Sequence, residues 1–374
     1  MAILRMHSFD VPSFDYYPFH GGSVTYETAQ ARTGARSLGL HGGPFNNPGS
    51  IRMETGSADT SVWIQFAMYR IIKANATGNL NGPLVSFLSS STETQTMIEI
   101  NPDDGFSAYR KSADTESGVT LLGSSSASSL VPLSSWHFFE ATFTLHPSAG
   151  SVAIKWDGVE VLNLTGVQTT SNHPGSYINN IVIGQQYQQN SGNLAAYFDD
   201  LIIGNTSGSF NTVPPGDARV EYLVPIGSGS KTQFTPLSGV NWGNVDELGT
   251  ANDADYNSSP DTGATDLFPM SNLTGNGLVH GVRSIIRARK DDAGYRKIRP
   301  EFFKTIGQGD TERLYGGIDA SVADSFTYSS QIFNSSPDTG VAWTVEEIAD
   351  LQFGYSVGGG SQFSADAWIA EFTP

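Results

Sequence analysis

The sequence predicts an all-β protein of two domains, and composition and periodicity both point to it. The chain has 374 residues, enough for two domains of ordinary size. Hydrophobic residues make up 38% and charged residues only 15%, while glycine numbers 41. This composition is too apolar for a disordered chain and too rich in turn formers for a helical bundle. Short alternating segments recur along the chain, and the first half carries no sustained helical period.

Segments with strand character follow one another through the first half of the chain. The strongest hairpin signal lies at 152–162, where Asp157 and Gly158 fit a two-residue type I′ turn between alternating apolar residues. The other expected strands of this half are 61–70, 84–88, 96–100, 106–109, 136–145, 181–184 and 196–204.

A polar, Pro-Pro and Gly-containing segment, 206–216, is expected to link a domain at 1–205 to a second β-rich domain at 217–374. In the second domain, strands at 279–289 and 295–303 are expected to pair as a hairpin.

Two shorter features of the second half predict local structure. Thr344 is expected to cap a short helix, with Glu347 at the capping-box position. The heptapeptide Asn-Ser-Ser-Pro-Asp-Thr-Gly occurs at 257–263 and again at 334–340. Because the flanking residues differ, the repetition indicates reuse of one turn rather than a repeated domain.

Three motifs of the first half resemble a known fold when taken in order. They are Trp136-His-Phe-Phe-Glu140, the Trp156-Asp-Gly158 hairpin and Phe198-Asp-Asp-Leu-Ile-Ile203. This order is similar to that of concanavalin A-like, laminin-G-type domains. The resemblance covers residues 1–205 and implies a jelly-roll sandwich.

Motifs of the second half resemble a family of phage-encoded structural proteins in which this unit follows a laminin-G-like domain. They include Gly239-Val-Asn-Trp-Gly-Asn-Val-Asp-Glu247, Ala288-Arg-Lys-Asp-Asp-Ala-Gly294 and Ala342-Trp-Thr-Val-Glu-Glu347. The resemblance implies a bacteriophage virion protein of the tail or a tail fibre, possessing a sandwich that contacts host-surface glycans. Alternatives are a capsid decoration (head fibre) protein, a free carbohydrate-binding lectin and a polysaccharide depolymerase.

The same resemblance implies partners and a location. We expect a symmetric homo-oligomer, most simply a trimer, that contacts other virion proteins and host-surface polysaccharide. The protein is expected in the virion after synthesis in the host cytoplasm.

Charge and composition disfavour several other classes of protein. The net charge is −17, with nine basic and 16 acidic residues in 1–205 and 11 basic and 21 acidic residues in 206–374. Neither half has the net positive charge that is typical of a nucleic-acid-binding protein. The absence of cysteine excludes disulfides and thiolate metal sites. Residues 1–8 lack a long apolar stretch and no run approaches membrane-spanning length, so we expect neither a secretion signal nor membrane insertion.

The sequence also predicts that the chain is not an enzyme. A retaining glycosidase needs two carboxylates about 5 Å apart. Glu99 stands alone between two isoleucines, whereas Asp199 and Asp200 are adjacent and would face opposite sides of a regular strand. No Gly-x-Ser-x-Gly motif occurs, and the histidines are scattered.

A loop rich in acids is a candidate metal site. Asp253, Asp255 and Asp261 supply the hard oxygen ligands that calcium prefers. The loop lacks the glycine and terminal glutamate of an EF-hand, and the alternative is that its side chains cap turns. No other cofactor is expected.

The remaining candidate binding residues are basic or aromatic. Arg283, Arg287 and Arg289 share a parity and would line one face of a strand, where they suit a lipopolysaccharide phosphate or an acidic neighbouring subunit. The alternative is a solvated face that balances nearby acids. Trp242 lies in a predicted loop and is a candidate for sugar stacking or for an interface anchor.

Overall fold

A computed structural model gives the fold of the chain as two compact units. One unit comprises Met1–Phe9 and Tyr16–Ala218, and the other comprises Asp10–Asp15 and Arg219–Pro374. The described residues are 3–13, 19–21, 23–41, 49–71, 83–90, 93–111, 118–128, 130–172, 175, 177–184, 195–275, 277–304, 313–358 and 363–372. None of the helices among them is long and apolar enough to cross a membrane.

The first unit is built from two antiparallel sheets. Its strands are β1 (Ile3–His7), β2 (Phe19–Gly21), β3 (Ser23–Glu27), β4 (Ser37–His41), β5 (Ser50–Asp59), β6 (Ser61–Arg70), β7 (Pro83–Leu88), β8 (Thr94–Ile100), β9 (Phe106–Lys111), β10 (Val119–Ser124), β11 (Trp136–Thr144), β12 (Gly150–Trp156), β13 (Val159–Val167), β14 (Ile178–Gly184) and β15 (Ala196–Asn205). One sheet has the order β13-β12-β11-β6-β15-β4-β3, with β1 also paired to β15. The other has the order β10-β9-β8-β7-β14-β5-β2. This arrangement confirms the all-β prediction.

Aromatic side chains join the two sheets into a sandwich. Phe87 of one sheet stacks on Phe143 of the other, with ring centroids 4.4 Å apart. Phe106 and Phe139 meet in a tilted arrangement with centroids 5.5 Å apart, and all four rings are buried. Each such ring contributes about 2 to 3 kcal/mol by leaving water. The alternation of apolar residues along the strands therefore places one face of each sheet in a common core.

The predicted hairpin at 152–162 is confirmed. Asp157 and Gly158 join β12 to β13 with φ of 50° and 77°, the left-handed values that a type I′ turn requires. The Asp157 carboxylate also accepts a hydrogen bond from the backbone N–H of Phe138 at 2.8 Å. The turn is thereby tied to the neighbouring strand. The segment 206–216, expected as a linker, falls within the first unit, where Trp63 Nε1 donates to the carbonyl of Asn211 at 3.1 Å.

The second unit also contains two sheets. Its strands are β16 (Glu221–Leu223), β17 (Thr235–Pro236), β18 (Asn257–Ser259), β19 (Thr265–Pro269), β20 (Val282–Arg289), β21 (Lys297–Lys304), β22 (Arg313–Gly316), β23 (Ala320–Ser321), β24 (Thr327–Phe333), β25 (Leu351–Gly358) and β26 (Phe363–Phe372). One sheet has the order β17-β18-β26-β20-β24, with β16 paired to β26. The other has the order β19-β25-β21-β22, with β23 paired to β21. Phe302 and Phe333 connect the two sheets at 4.5 Å.

The expected hairpin between 279–289 and 295–303 is wrong. β20 pairs with β24 and β26, whereas β21 pairs with β22, β23 and β25 in the other sheet. Ile286 of β20 and Ile298 of β21 both belong to the core, so each strand turns an apolar face toward the opposite sheet. The intervening residues therefore cross from one sheet to the other. An apolar face on each strand is compatible with both arrangements, so it is the pairing with distant strands that separates β20 from β21.

A buried polar network holds the segment around Trp242 to the second unit. Asn257 Nδ2 donates to the Asn241 carbonyl at 2.8 Å and to Tyr355 Oη at 3.0 Å. Its Oδ1 accepts from Asn244 Nδ2 at 3.2 Å, and Asn241 Nδ2 donates to Asp266 Oδ2 at 2.6 Å. Burial raises the pKa of Asp266, and hydrogen bonds oppose that rise. The side chains of Asn241, Asn244 and Asn257 therefore form internal hydrogen bonds that fix the segment around Trp242.

The structure also bears on the remaining local predictions. Helix α1 (Val345–Asp350) begins after Thr344, whose hydroxyl accepts from the Glu347 N–H at 3.1 Å, as expected. The Glu347 carboxylate, which was expected at the capping-box position, accepts the Ser336 hydroxyl. In both heptapeptides the third-position serine oxygen accepts from the fifth-position backbone N–H, at 3.2 Å in 257–263 and 3.1 Å in 334–340. The final glycines have φ of 85° and 70°. The two copies therefore share the serine hydrogen bond and the left-handed glycine, although Gly263 N–H donates to the Val357 carbonyl and Gly340 N–H donates to the Ser336 carbonyl.

Candidate functional site

Two arginines and three aromatic rings cluster on one face of the second unit, and we call them the arginine–aromatic ladder. Ile286 and Ala288 of β20 face the core, so the odd-numbered residues of this strand point away from it. The ladder consists of Tyr256, Arg289, Phe326, Arg287 and Tyr328, and the Tyr256 and Phe326 rings also contact each other, with centroids 6.2 Å apart. The Arg289 Cζ lies 5.9 Å and 5.1 Å from the flanking ring centroids, and the Arg287 Cζ lies 5.7 Å and 4.8 Å from its own. Each guanidinium is thus within cation–π distance of two rings.

The two guanidinium groups of the ladder differ in their charge balance. Arg287 forms a bidentate ion pair with Asp253, with Nε–Oδ1 at 2.7 Å and Nη2–Oδ2 at 2.8 Å. Arg289 forms no hydrogen bond or ion pair within the described part of the chain, and its buried Nε has no partner. A guanidinium presents five N–H donors in a planar fork that matches a carboxylate or a phosphate. Arg289 therefore offers unused donors of the kind that bind such groups.

Arg283 and Trp242 are not part of the ladder. Arg283 shares the parity of Arg287, but only 3% of it is exposed and it donates to Ser330 Oγ at 3.3 Å. Trp242 lies in a short 3-10 helix, Asn241–Asn244, and its partly buried ring packs against the hydrophobic core of the second unit. No ring contact connects it to the ladder among the residues that the structure describes. Alternation along the strand therefore correctly grouped two of the four predicted binding residues, Arg287 and Arg289.

The three aspartates predicted to bind calcium are not brought together. Asp253 is the counter-ion of Arg287, and Asp261 lies exposed in its heptapeptide turn. Asp255 instead lies near Glu247, whose pKa is raised to about 7 by burial and further by neighbouring acids. Over the described ranges, no group of three or more His, Cys, Asp or Glu side chains is arranged to hold a metal ion. Pairing of Asp253 with an arginine removes one hard ligand from the predicted loop.

The first unit contains a buried glutamate, Glu99, which the sequence does not predict to be catalytic because it has no second carboxylate beside it in sequence. Glu99 lies on β8 between two core isoleucines, so its side chain points to the opposite face of the sheet. It is 3% exposed, and burial alone raises its pKa to about 7. Tyr109 of the adjacent strand β9 has its pKa raised by burial and then by the Glu99 charge. A carboxyl group that titrates near neutral pH can both donate and accept a proton.

Asp199 and Asp200 do not face opposite sides of their strand. The pairing of β15 with β6 is irregular between Asp199 and Ile202, and Asp200 has a φ of 53°. Both carboxylates consequently reach the same segment. Asp199 Oδ2 accepts the backbone N–H groups of Arg32 and Thr33 at 2.8 Å and 3.1 Å, and Asp200 Oδ2 accepts Arg32 Nη1 at 3.0 Å. Both aspartates are fully buried, which indicates that they fasten this segment to the sheet.

No protein-family model and no curated protein sequence matches the chain. Solved structures that it resembles include the endo-β-1,4-glucuronan lyase of the fungus Trichoderma reesei, 12% identical over 51% of this chain and 92% of its own, with a TM-score of 0.37. Alginate lyase vAL-1 from Chlorella virus is 10% identical over 50% and 90%, with a TM-score of 0.36. The tandem CBM22 domains of Paenibacillus barcinonensis Xyn10C are 12% identical over 98% and 96%, with a TM-score of 0.29. At these identities and TM-scores the likeness bears on the β-sandwich fold alone.

The comparison corrects the expectation that the chain is not an enzyme. That expectation rested on missing glycosidase and hydrolase motifs, yet the structures of similar fold include polysaccharide lyases. The exclusion of catalysis is therefore wrong. The similar structures are carbohydrate-binding or carbohydrate-cleaving β-sandwich domains, and the comparisons show no phage or virion family.

Proposed function

We propose that this chain is a polysaccharide-binding protein and that its arginine–aromatic ladder holds an anionic group of the glycan. The observation that supports this proposal is the environment of Arg289. Its guanidinium lies within cation–π distance of two rings, and its buried Nε has no partner among the residues that the structure describes. Each cation–π contact contributes about 0.5 to 2 kcal/mol, so the side chain is held in place before a ligand arrives. A uronate carboxylate or a sugar phosphate would complete the donors of Arg289.

The overall charge of the protein limits which glycans suit this site. A net charge of −17 repels densely charged polyanions at long range. Asp253 neutralises Arg287 and is about half exposed beside the ladder. We therefore expect a preference for glycans with widely spaced acidic groups, whose recognition depends on a local contact with Arg289.

The experiment compares binding of the full chain to a polysaccharide that contains uronate and to a neutral polysaccharide of similar length, by isothermal titration calorimetry. Arg289→Gln is expected to weaken binding to the acidic polymer at least tenfold, since a charge-assisted hydrogen bond contributes about 1.5 to 3 kcal/mol. Lys155→Gln removes the same charge from an exposed position of the first unit and serves as the control. Equal affinity of the Arg289 variant and wild type would overturn the proposal, as would failure of wild type to bind acidic glycans.

Glu99 supports a second candidate function, cleavage of a polysaccharide. Its pKa of about 7 populates both the carboxyl and the carboxylate at neutral pH, which is what a general acid or base requires. Purified protein should then release reducing or unsaturated ends from its polysaccharide. Glu99→Gln should abolish that release, while Glu54→Gln, at an exposed position of the same sheet, should retain it. Absence of product from wild type across a panel of acidic and neutral polysaccharides would reject this function.

A place in a bacteriophage virion, at the tail or a tail fibre, is the biological setting that we propose for this binding. Its support is the sequence resemblance of the second half, and capsid decoration is the alternative placement. Immunogold labelling of virions distinguishes tail from capsid, and absence of label from purified particles rejects both. The expected homo-oligomer, most simply a trimer, is checked by light scattering of the purified protein, and a monomer at micromolar concentration would contradict it.

A further inference from the structure

A separate cavity of about 210 Å³ opens in the second unit, between the inner face of the six-stranded sheet and the strands opposite it. We call it the Ser284 pocket. Ser284 and Ile286 of β20 and Gln331 of β24 form one side, and Pro300 of β21 contributes to the other. β24 is the edge strand of its sheet, and Ile318 on the pocket wall is 73% exposed. A small molecule in solvent can therefore reach the cavity from the sheet edge.

The Ser284 hydroxyl indicates that the pocket receives a polar ligand. Ser284 is 1% exposed, and its Oγ has no hydrogen-bond partner within the described ranges of the chain. A buried hydroxyl without a partner destabilises the folded protein, and most native structures avoid it. Because this hydroxyl lies on the wall of a cavity, a ligand hydroxyl that enters the cavity removes the penalty.

The other walls of the pocket combine polar groups with apolar surface. Gln331 Oε1 accepts the backbone N–H of Ile318 at 2.7 Å, which fixes the side-chain amide and leaves its Nε2 hydrogens for a ligand. The Asp319 carboxylate, one-third exposed, adds an acceptor near Lys297. Ile286, Pro300 and Ile318 provide apolar contact.

We infer that the Ser284 pocket binds a single neutral pyranose ring, as a free sugar or as one unit of a glycan. A sugar ring presents hydroxyls at its rim and C–H groups on its faces, which matches the polar and apolar walls. An apolar cavity of about 150 Å³ accepts one benzene ring, so a cavity of about 210 Å³ accommodates a six-membered ring with substituents. An anionic sugar is disfavoured by Asp319. The inference adds a neutral site to the proposed glycan function, and it stands or fails independently of the ladder, since Ser284 and Arg287 point to opposite faces of β20.

The test titrates the full chain with neutral monosaccharides, namely glucose, galactose, mannose, rhamnose and N-acetylglucosamine, using saturation-transfer NMR and calorimetry. Wild type is expected to bind at least one of them. Ser284→Ala should weaken that binding about fivefold, the value of one neutral hydrogen bond, without lowering thermal stability. If the hydroxyl had only an internal structural role, Ser284→Ala would lower thermal stability and leave sugar binding unchanged. Ser284→Val fills part of the cavity and should abolish binding.

Two controls separate this proposal from the ladder. Arg289→Gln should leave monosaccharide binding unchanged, and Ser284→Val should leave binding of acidic polysaccharide unchanged. The proposal is overturned if wild type binds none of the sugars, or if Ser284→Ala binds them as tightly as wild type. Self-association of wild type that Ser284→Val abolishes, without sugar binding, would instead assign the pocket to a side chain of a second copy.

Discussion

Replacing the buried carboxyl of Glu99 with an amide should stabilise the protein at neutral and alkaline pH. Glu99 is 3% exposed, and burial raises its pKa from 4.5 to about 7. The folded protein therefore holds this proton more tightly than the unfolded chain does. Glutamine has nearly the same shape and no charge to bury, so Glu99→Gln removes the penalty without opening a cavity.

The magnitude and sign of the effect follow from the two pKa values. At about 1.4 kcal/mol for each pKa unit, the difference between 4.5 and about 7 corresponds to about 3 kcal/mol. The contribution of Glu99 to stability is fully present below the unfolded pKa of 4.5. It declines as pH rises and is lost above about 7, because the folded state must then bury a carboxylate. The difference in unfolding free energy between variant and wild type should grow by about 3 kcal/mol over this interval.

Urea denaturation of both proteins at pH values from about 4 to 9 measures that difference directly. Other groups titrate in both proteins and cancel in the comparison. Glu54→Gln is the matched control, because Glu54 is exposed on the same sheet. A difference between Glu99→Gln and wild type that stays constant with pH would refute the reasoning. A stabilised variant that also loses polysaccharide cleavage would indicate that Glu99 is retained for chemistry at a cost in stability.

Two further substitutions test the internal contacts of each unit. Arg32→Met should destabilise the first unit by about 3 to 5 kcal/mol, since it leaves Asp200 buried without its cation. A loss below about 1 kcal/mol in chemical denaturation would contradict the contact. Asn257→Ala removes three buried hydrogen bonds, including the one to Tyr355, and should cost about 3 kcal/mol, or about 6 to 12 °C in calorimetry of the second unit. An unchanged transition temperature would show that the network contributes nothing to folding.

The elements predicted well from sequence are those that local chemistry determines. The turn at Asp157 and Gly158 needs two left-handed residues, and few other sequences supply them so readily. Thr344 caps its helix for a similarly local reason. The hairpin expected at 279–303 failed because a short connection between two apolar strands is compatible with pairing in one sheet or with crossing between two sheets. The choice depends on the partner strands, which are distant in sequence.

The candidate sites show the same limit. Alternation correctly placed Arg287 and Arg289 on one face. The rings beside them are distant in sequence: Tyr256 precedes β18, Phe326 precedes β24 and Tyr328 lies in β24. No local sequence pattern connects these rings with the two arginines. Alternation failed at Asp199 and Asp200, because one residue with positive φ turns its carboxylate to the same segment as its neighbour. The pKa of Glu99 and the unpaired hydroxyl of Ser284 follow from burial, which only the assembled sheets determine.

The repeated heptapeptide places one turn in two different electrostatic surroundings within a single molecule. In the copy at 334–340, Asp338 forms an ion pair with Lys304 at 2.9 Å. The equivalent residue of the copy at 257–263, Asp261, is exposed. Both copies share the hydrogen bond from the aspartate N–H to the serine Oγ, whereas their final glycines donate to different carbonyls. Amide hydrogen exchange at the two aspartates therefore compares one bond in two surroundings. Exchanging the aspartate for asparagine in each copy would measure how much the lysine contact slows opening of that shared bond.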